Sequence, residues 1–173
     1  MRDRYRRIAR VEKTHGRQGE VVTVPVRGLP SLVREGLTVA VVPPALKGSR
    51  WHRVVSCEGD GRSGSLVALS GVSDLTAAES LVGRYLLVRE SDLPDDLALH
   101  DAARLVGRTV RDVATGEEGV IEEILSGPAN DVWVVRGERG ELLLPVIEQV
   151  VSDVPDEGAI EVRVPAGLDW EVR

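Results

Sequence analysis

The chain has 173 residues, 42% of them hydrophobic and 29% charged, with a formal net charge of −6. That balance excludes a disordered chain and leaves room for one large domain or two small ones. With three Trp, two Tyr and no Phe, the cores have to be built mostly from Val, Leu, Ile and Ala. The single cysteine, Cys57, excludes an internal disulfide and any multi-cysteine metal site.

The abundance of valine favours strands over helices. The first residues are studded with arginines but no apolar run stands behind them, so no secretory signal is expected. Strand-like runs follow at YRRIARV (from Tyr5), EVVTVPV (from Glu20), LTVAVVP (from Leu37), WHRVVSCE (from Trp51), SLVALS (from Ser65) and RYLLVRE (from Arg84). The apolar stretch LTVAVV is far too short to span a bilayer. Cys57 is expected as a small buried residue on its strand.

Between the first two strands lies THGRQGEV, Thr14 to Val21. Gly16 and Gly19 permit positive φ and a sharp turn. That leaves His15 and Arg17 near an exposed tip, as candidates for contact with phosphate or with a partner.

Gly59-Asp-Gly61-Arg-Ser-Gly64 matches a dinucleotide fingerprint literally. The fingerprint needs a following helix to hold the pyrophosphate, and SLVALS alternates like a strand, so a hairpin loop is expected. SDLTAAESLVG breaks the run of strands. It predicts a short helix with Ser73 or Asp74 as cap, an apolar face of Leu75, Ala78, Leu81 and Val82, and Gly83 as stop.

ESDLPDDLALHDAA, from Glu90, is acidic and reads as a linker. Strands are expected again at GRTVRDV (from Gly107), EGVIEEIL (from Glu118), DVWVVRG (from Asp131), ELLLPV (from Glu141), EQVVSDV (from Glu148) and AIEVRV (from Ala159), with glycines at the turns between them. The predicted fold is all-β. It consists of two small β-barrels joined by a short linker, with one short helix in the N-terminal domain. The boundaries fall at 1–90 for a six-stranded barrel, 91–103 for the linker and 104–173 for the second barrel.

No catalytic residue, cofactor or metal site is expected. His15, His52 and His100 are dispersed, with no i,i+4 pair, and no serine stands on a nucleophile elbow. Glu117-Glu118 and Glu122-Glu123 fall on one hairpin whose alternate residues face opposite ways, which suits solvated faces better than paired acid–base work.

Charge divides the chain. Residues 1–90 carry 15 Lys and Arg against 9 Asp and Glu; residues 91–173 carry 7 against 19. A basic half suits nucleic acid and an acidic half suits a basic protein. Attraction between the two halves is the plainer alternative.

Taken together, the motifs resemble the bacterial ribosome maturation factor RimM family. The family's His-Gly-x-x-Gly-Glu-Val loop is matched by His15, Gly16, Gly19, Glu20 and Val21. Gly71, Ala78, Glu79, Leu81 and Gly83 fill its helix motif. LVGRTV, GEEGVIEEIL, GPANDVWVV, ELLLPVIEQVV and VPAGL resemble a PRC-type barrel. The likeness runs from about residue 6 to residue 169.

The single cysteine and the lack of a signal-like or membrane-length apolar run point to the cytoplasm. The resemblance implies a non-enzymatic factor, expected as a monomer. It would bind the immature small ribosomal subunit, assist assembly of its head and 16S rRNA processing, contact a basic ribosomal protein of the head, and touch 16S rRNA. Where the family carries an aromatic pair before His-Asp, this chain has Leu97-Ala98-Leu99-His100-Asp101. Leu97, Leu99, His100 and Asp101 are the candidate ribosomal-protein contact, and their packing onto their own barrel is the alternative. A PRC-barrel adaptor for a non-ribosomal protein is the second functional reading.

Overall fold

The computed structural model describes residues 4–44, 48–59, 64–127 and 129–171. The chain divides into two compact units, Met1–Pro94 and Asp95–Arg173.

In the first unit, six strands follow the predicted runs: β1 (Tyr5–His15), β2 (Glu20–Pro25), β3 (Thr38–Val42), β4 (Trp51–Gly59), β5 (Ser65–Leu69) and β6 (Tyr85–Arg89). They close into a barrel in the order β1-β2-β5-β4-β3-β6. Closure needs strongly coiled strands. β1 supplies them with register shifts at Arg7/Ala9 and Val11/Lys13, and β4 with one at Val54/Ser56. The interior is aliphatic: Ile8, Val11, Val21, Val39, Val54, Val67, Leu86 and Val88 are buried, with no aromatic among them. Cys57 is half-buried on β4, and its thiol donates to the Val33 carbonyl at 3.3 Å.

Residues 60–63 of the glycine-rich segment lie outside the described residues. On either side of them β4 and β5 pair antiparallel, Gly59 opposite Ser65. A strand, not a helix, follows the glycines, as the alternation requires. The helix α1 (Leu75–Glu79) is capped by Asp74, whose carboxylate accepts from the Ala77 amide at 2.8 Å. It is shorter than its apolar face implied. Five residues make little more than one turn, so Ala78 points inward while Leu75 is exposed. Leu81 is buried from the turn after the helix, and Val82 faces outward.

The second unit has α2 (Ala102–Leu105), β7 (Thr109–Asp112), β8 (Glu118–Leu125), β9 (Val132–Gly137), β10 (Gly140–Pro145) and β11 (Ile160–Val162). They form a five-stranded, barrel-like sheet in the order β10-β9-β8-β7-β11, with β11 parallel to β7. EQVVSDV is not a strand, contrary to the expectation from its valines. The chain must cross there from the β10 edge to the β11 edge, and a crossing segment cannot stay in the ladder. Val150 and Val151 instead turn into the core, their amides both donating to the Ile147 carbonyl at 2.9 Å.

Trp133 fills that core at 0% exposure. Trp170 lies against a cross-strand glycine pair, Gly119 and Gly137. A Cβ at either would sit 2.8–2.9 Å from its ring. The indole donates to Glu117 at 2.8 Å.

Candidate functional site

The turn between β1 and β2 is built by its glycines. His15 and Glu20 are the last ladder pair, and Gly16 and Gly19 have φ of 65° and 90°. Gly19 is also buried against the chain leading to α1, where an added Cβ would lie 2.3 Å from the Val72 carbonyl oxygen. Glycine is required at this position twice over, by conformation and by space. The consequence is a turn anchored at Gly19 from which His15 and Arg17 are exposed, as the sequence placed them.

The segment expected as a linker carries structure of its own. Short 3-10 turns run over Glu90–Asp92 and Asp95–Leu99, and α2 follows. The part from Asp95 onward packs on the second unit. Leu97 is 6% exposed and Asp101 0%. Half-buried Leu99 joins the core, and its carbonyl accepts from the Trp133 indole at 3.3 Å. His100 Nδ1 stands 2.7 Å from the Asp131 carboxylate, and its Nε2 3.7 Å from Asp96. Of the four residues assigned here from sequence, Leu97 and Asp101 are therefore interior. Ala98, Leu99 and His100, with Asp96, form what the segment presents outward. Asp131 and Trp133 could not be found as partners beforehand, because 31 and 34 residues separate them from His100 and Leu99.

Three of the four acids in the acidic pairs of the second unit, Glu117, Glu118 and Glu122, stand in ion pairs. Glu118 meets Arg111 at 2.6 Å, Glu122 meets Arg136 at 2.9 Å, and Glu117 meets Arg139 at 2.6 Å. The Arg139 hydrogen bond holds the Glu117 carboxyl below its ordinary range, with the Trp170 indole adding to it. Burial pushes the Asp112 carboxyl upward, but hydrogen bonds from the Thr115 side chain and the amides of Ala114, Val164 and Thr115 outweigh it and leave it lowered. Among the described residues no group of His, Cys, Asp and Glu is arranged to hold a metal ion. No helix there is long and apolar enough to cross a membrane.

A family model described as the RimM N-terminal domain matches residues 6–93. The ribosome maturation factor RimM of Desulforamulus reducens is 30% identical over 171 residues, covering 97% of this chain and 99% of that protein. The chain belongs to the RimM family. The RimM of Shouchella clausii is 32% identical over 95% of this chain and 96% of its own. A solved structure from Pseudomonas aeruginosa, described as a 16S ribosomal RNA processing protein RimM, is 25% identical at a TM-score of 0.43, covering 94% of this chain and 99% of that one. Within the RimM match, the His15–Val21 turn and the helix at Leu75 both fall inside the N-terminal domain.

Proposed function

We propose that this chain is a non-enzymatic maturation factor of the cytoplasm that binds the immature small ribosomal subunit as a monomer. There it assists assembly of the head and processing of 16S rRNA. Family membership over nearly the whole chain carries this reading. The division of charge supports it: 15 basic against 9 acidic residues in the first ninety, 7 against 19 in the rest.

In this reading the first unit meets rRNA phosphates through the anchored turn that exposes His15 and Arg17. The second unit is repelled by RNA and draws a basic ribosomal protein of the head. Leu97 and Asp101 shape the contact from inside, while Leu99 and His100 present it. No cofactor is required.

The test is co-sedimentation of the purified chain with precursor small subunits, mature small subunits and large subunits. Retention on the precursor alone is expected, and Arg17→Ala weakens it at low salt with a smaller loss at high salt. Equal retention on large subunits overturns the proposal. Capture of a non-ribosomal protein in place of subunits moves the chain to the adaptor reading.

A further inference from the structure

All three aromatic residues of the first unit lie outside its aliphatic core, which is unusual for side chains that normally dominate interiors. Tyr5 and Trp51 are 40% and 41% exposed, and Tyr85 is half-buried. The ladder gathers them on one face. Arg7 stands opposite Leu87, Leu87 opposite Ala40, and Ala40 opposite Trp51, making one row on the outer side of β1, β6, β3 and β4 in which Ala40 is itself covered. The neighbouring rows set Tyr5 opposite Arg89, and Arg10 opposite Tyr85 and then Val42. The Tyr5 and Trp51 rings stand 5.8 Å apart at 52°, and the Arg7 guanidinium lies 5.2 Å over the Tyr85 ring.

Arginine dominates these outward rows. Arg7, Arg10, Arg53 and Arg89 stand in them, and among the described residues of the rows there is no carboxylate. The nearest acid along β1, Glu12, is exposed and pairs with Arg10 at 3.3 Å. The backbone that carries Trp51 is anchored. Its amide donates to the Ser49 hydroxyl at 3.2 Å, and the buried ring of the next residue, His52, sits 2.7 Å from the Ser70 carbonyl and 3.0 Å from that of Ser49.

Flat, fixed aromatic surfaces interleaved with arginines bind unpaired nucleotides. Bases stack on the rings while guanidinium groups take the phosphates, whereas a duplex offers no free base faces. Trp, Tyr and Arg also anchor protein interfaces, but a protein partner here would need acids complementary to the arginines, and it is the alternative the experiment separates. We infer that the outer face of β1, β6, β3 and β4 docks a single-stranded segment of RNA, with Tyr5 and Trp51 as stacking platforms and Arg7 and Arg10 as phosphate contacts. This rests on the ribosomal reading above and names the form of RNA taken. It is a surface separate from the His15–Arg17 tip.

The experiment uses the full chain with two probes: a fluorescein-labelled, unstructured pyrimidine-rich RNA ten nucleotides long, and precursor small subunits. The single strand binds tighter than a duplex of equal length and quenches Trp51 emission. Trp51→Ala weakens single-strand binding by about tenfold, the scale of one base–aromatic stack. Trp51→Phe keeps a stacking ring and stays within about threefold of the wild type. Arg7→Ala lowers affinity and flattens the salt dependence. Unchanged far-ultraviolet circular dichroism and melting verify that the exposed substitutions leave the barrel folded.

Equal binding of strand and duplex, or unaltered binding by Trp51→Ala, overturns the inference. So does loss of subunit retention in these variants when the RNA strand fails to bind and an isolated ribosomal protein binds instead. If the wild type binds the strand as described but no subunit retains it, the ribosomal reading falls while this face stands.

Discussion

Replacing Gly19 by alanine isolates the contact that fixes the His15–Arg17 tip. Gly71 provides the comparison, since both have positive φ, 90° and 75°. Their surroundings differ. A Cβ at Gly71 meets nothing within 4 Å, whereas one at Gly19 lies 2.3 Å from the Val72 oxygen and 2.7 Å from its carbon. Each substitution costs about 1–2 kcal/mol for a left-handed conformation. Gly19→Ala adds ~1–3 kcal/mol because the methyl can be housed only by moving backbone.

Amide hydrogen exchange reads the difference within the full chain. The Val11 and Val54 amides, bonded to Arg84 and Leu37 carbonyls at 2.8 Å, report opening of the first unit. Gly19→Ala should speed their exchange about fivefold or more beyond Gly71→Ala, since 1.4 kcal/mol is a factor of ten. The Ile121 amide of the second unit should be unaffected. Equal acceleration by the two variants would refute the reasoning, because conformation alone would then account for Gly19.

Leu97→Ala should destabilise the second unit by about 2–4 kcal/mol, since the side chain is 6% exposed; a urea titration followed by Trp133 fluorescence measures it. Acid should weaken the second unit through Asp112. Its carboxyl is lowered on folding, so the unfolded chain takes the proton first. The stability it contributes is complete above the ordinary carboxylate range and is lost as pH falls through the lower folded value. Asp112→Asn should therefore melt lower at pH 7 and lose less on acidification, as calorimetry from pH 7 to pH 3 would reveal. Limited proteolysis should cut the exposed Pro94–Asp96 stretch before any bond between Leu97 and Leu105; mass spectrometry of the first fragments with equal cutting in α2 would count against the packing described.

The six strands of the first barrel were legible because turn residues bound an apolar-rich run in each of them. In β4 the residues also alternate, His52 and Val54 facing in while Trp51, Arg53 and Val55 face out. The glycines of the tip were legible as turn residues. Their second reason, the approach of Val72, was not, because it depends on a chain more than fifty residues away. Val150 and Val151 misled for a related reason. Two adjacent valines satisfy a strand or a plug equally, and only the topology around them decides. The segment after Pro94 read as a linker from its acids, yet Leu99 finds its place through Trp133 and the core around it, and Leu97 is itself buried. The aromatic face escaped notice because its rows exist only once β1, β6, β3 and β4 are aligned.

The parallel pairing of β11 with β7 imposes a timetable on the second unit. β8, β9 and β10 follow one another through short turns and pair with their immediate neighbours, so they can assemble early. Ile160 pairs with Val110 across 50 positions, and loop-closure entropy delays that contact. Until the crossing segment has seated Val150 and Val151, β7 remains an open strand edge able to recruit another chain. Refolding at rising protein concentration should therefore divert material into aggregates during the slow phase, and Val162→Pro, which removes a β11 amide, should prolong that exposure.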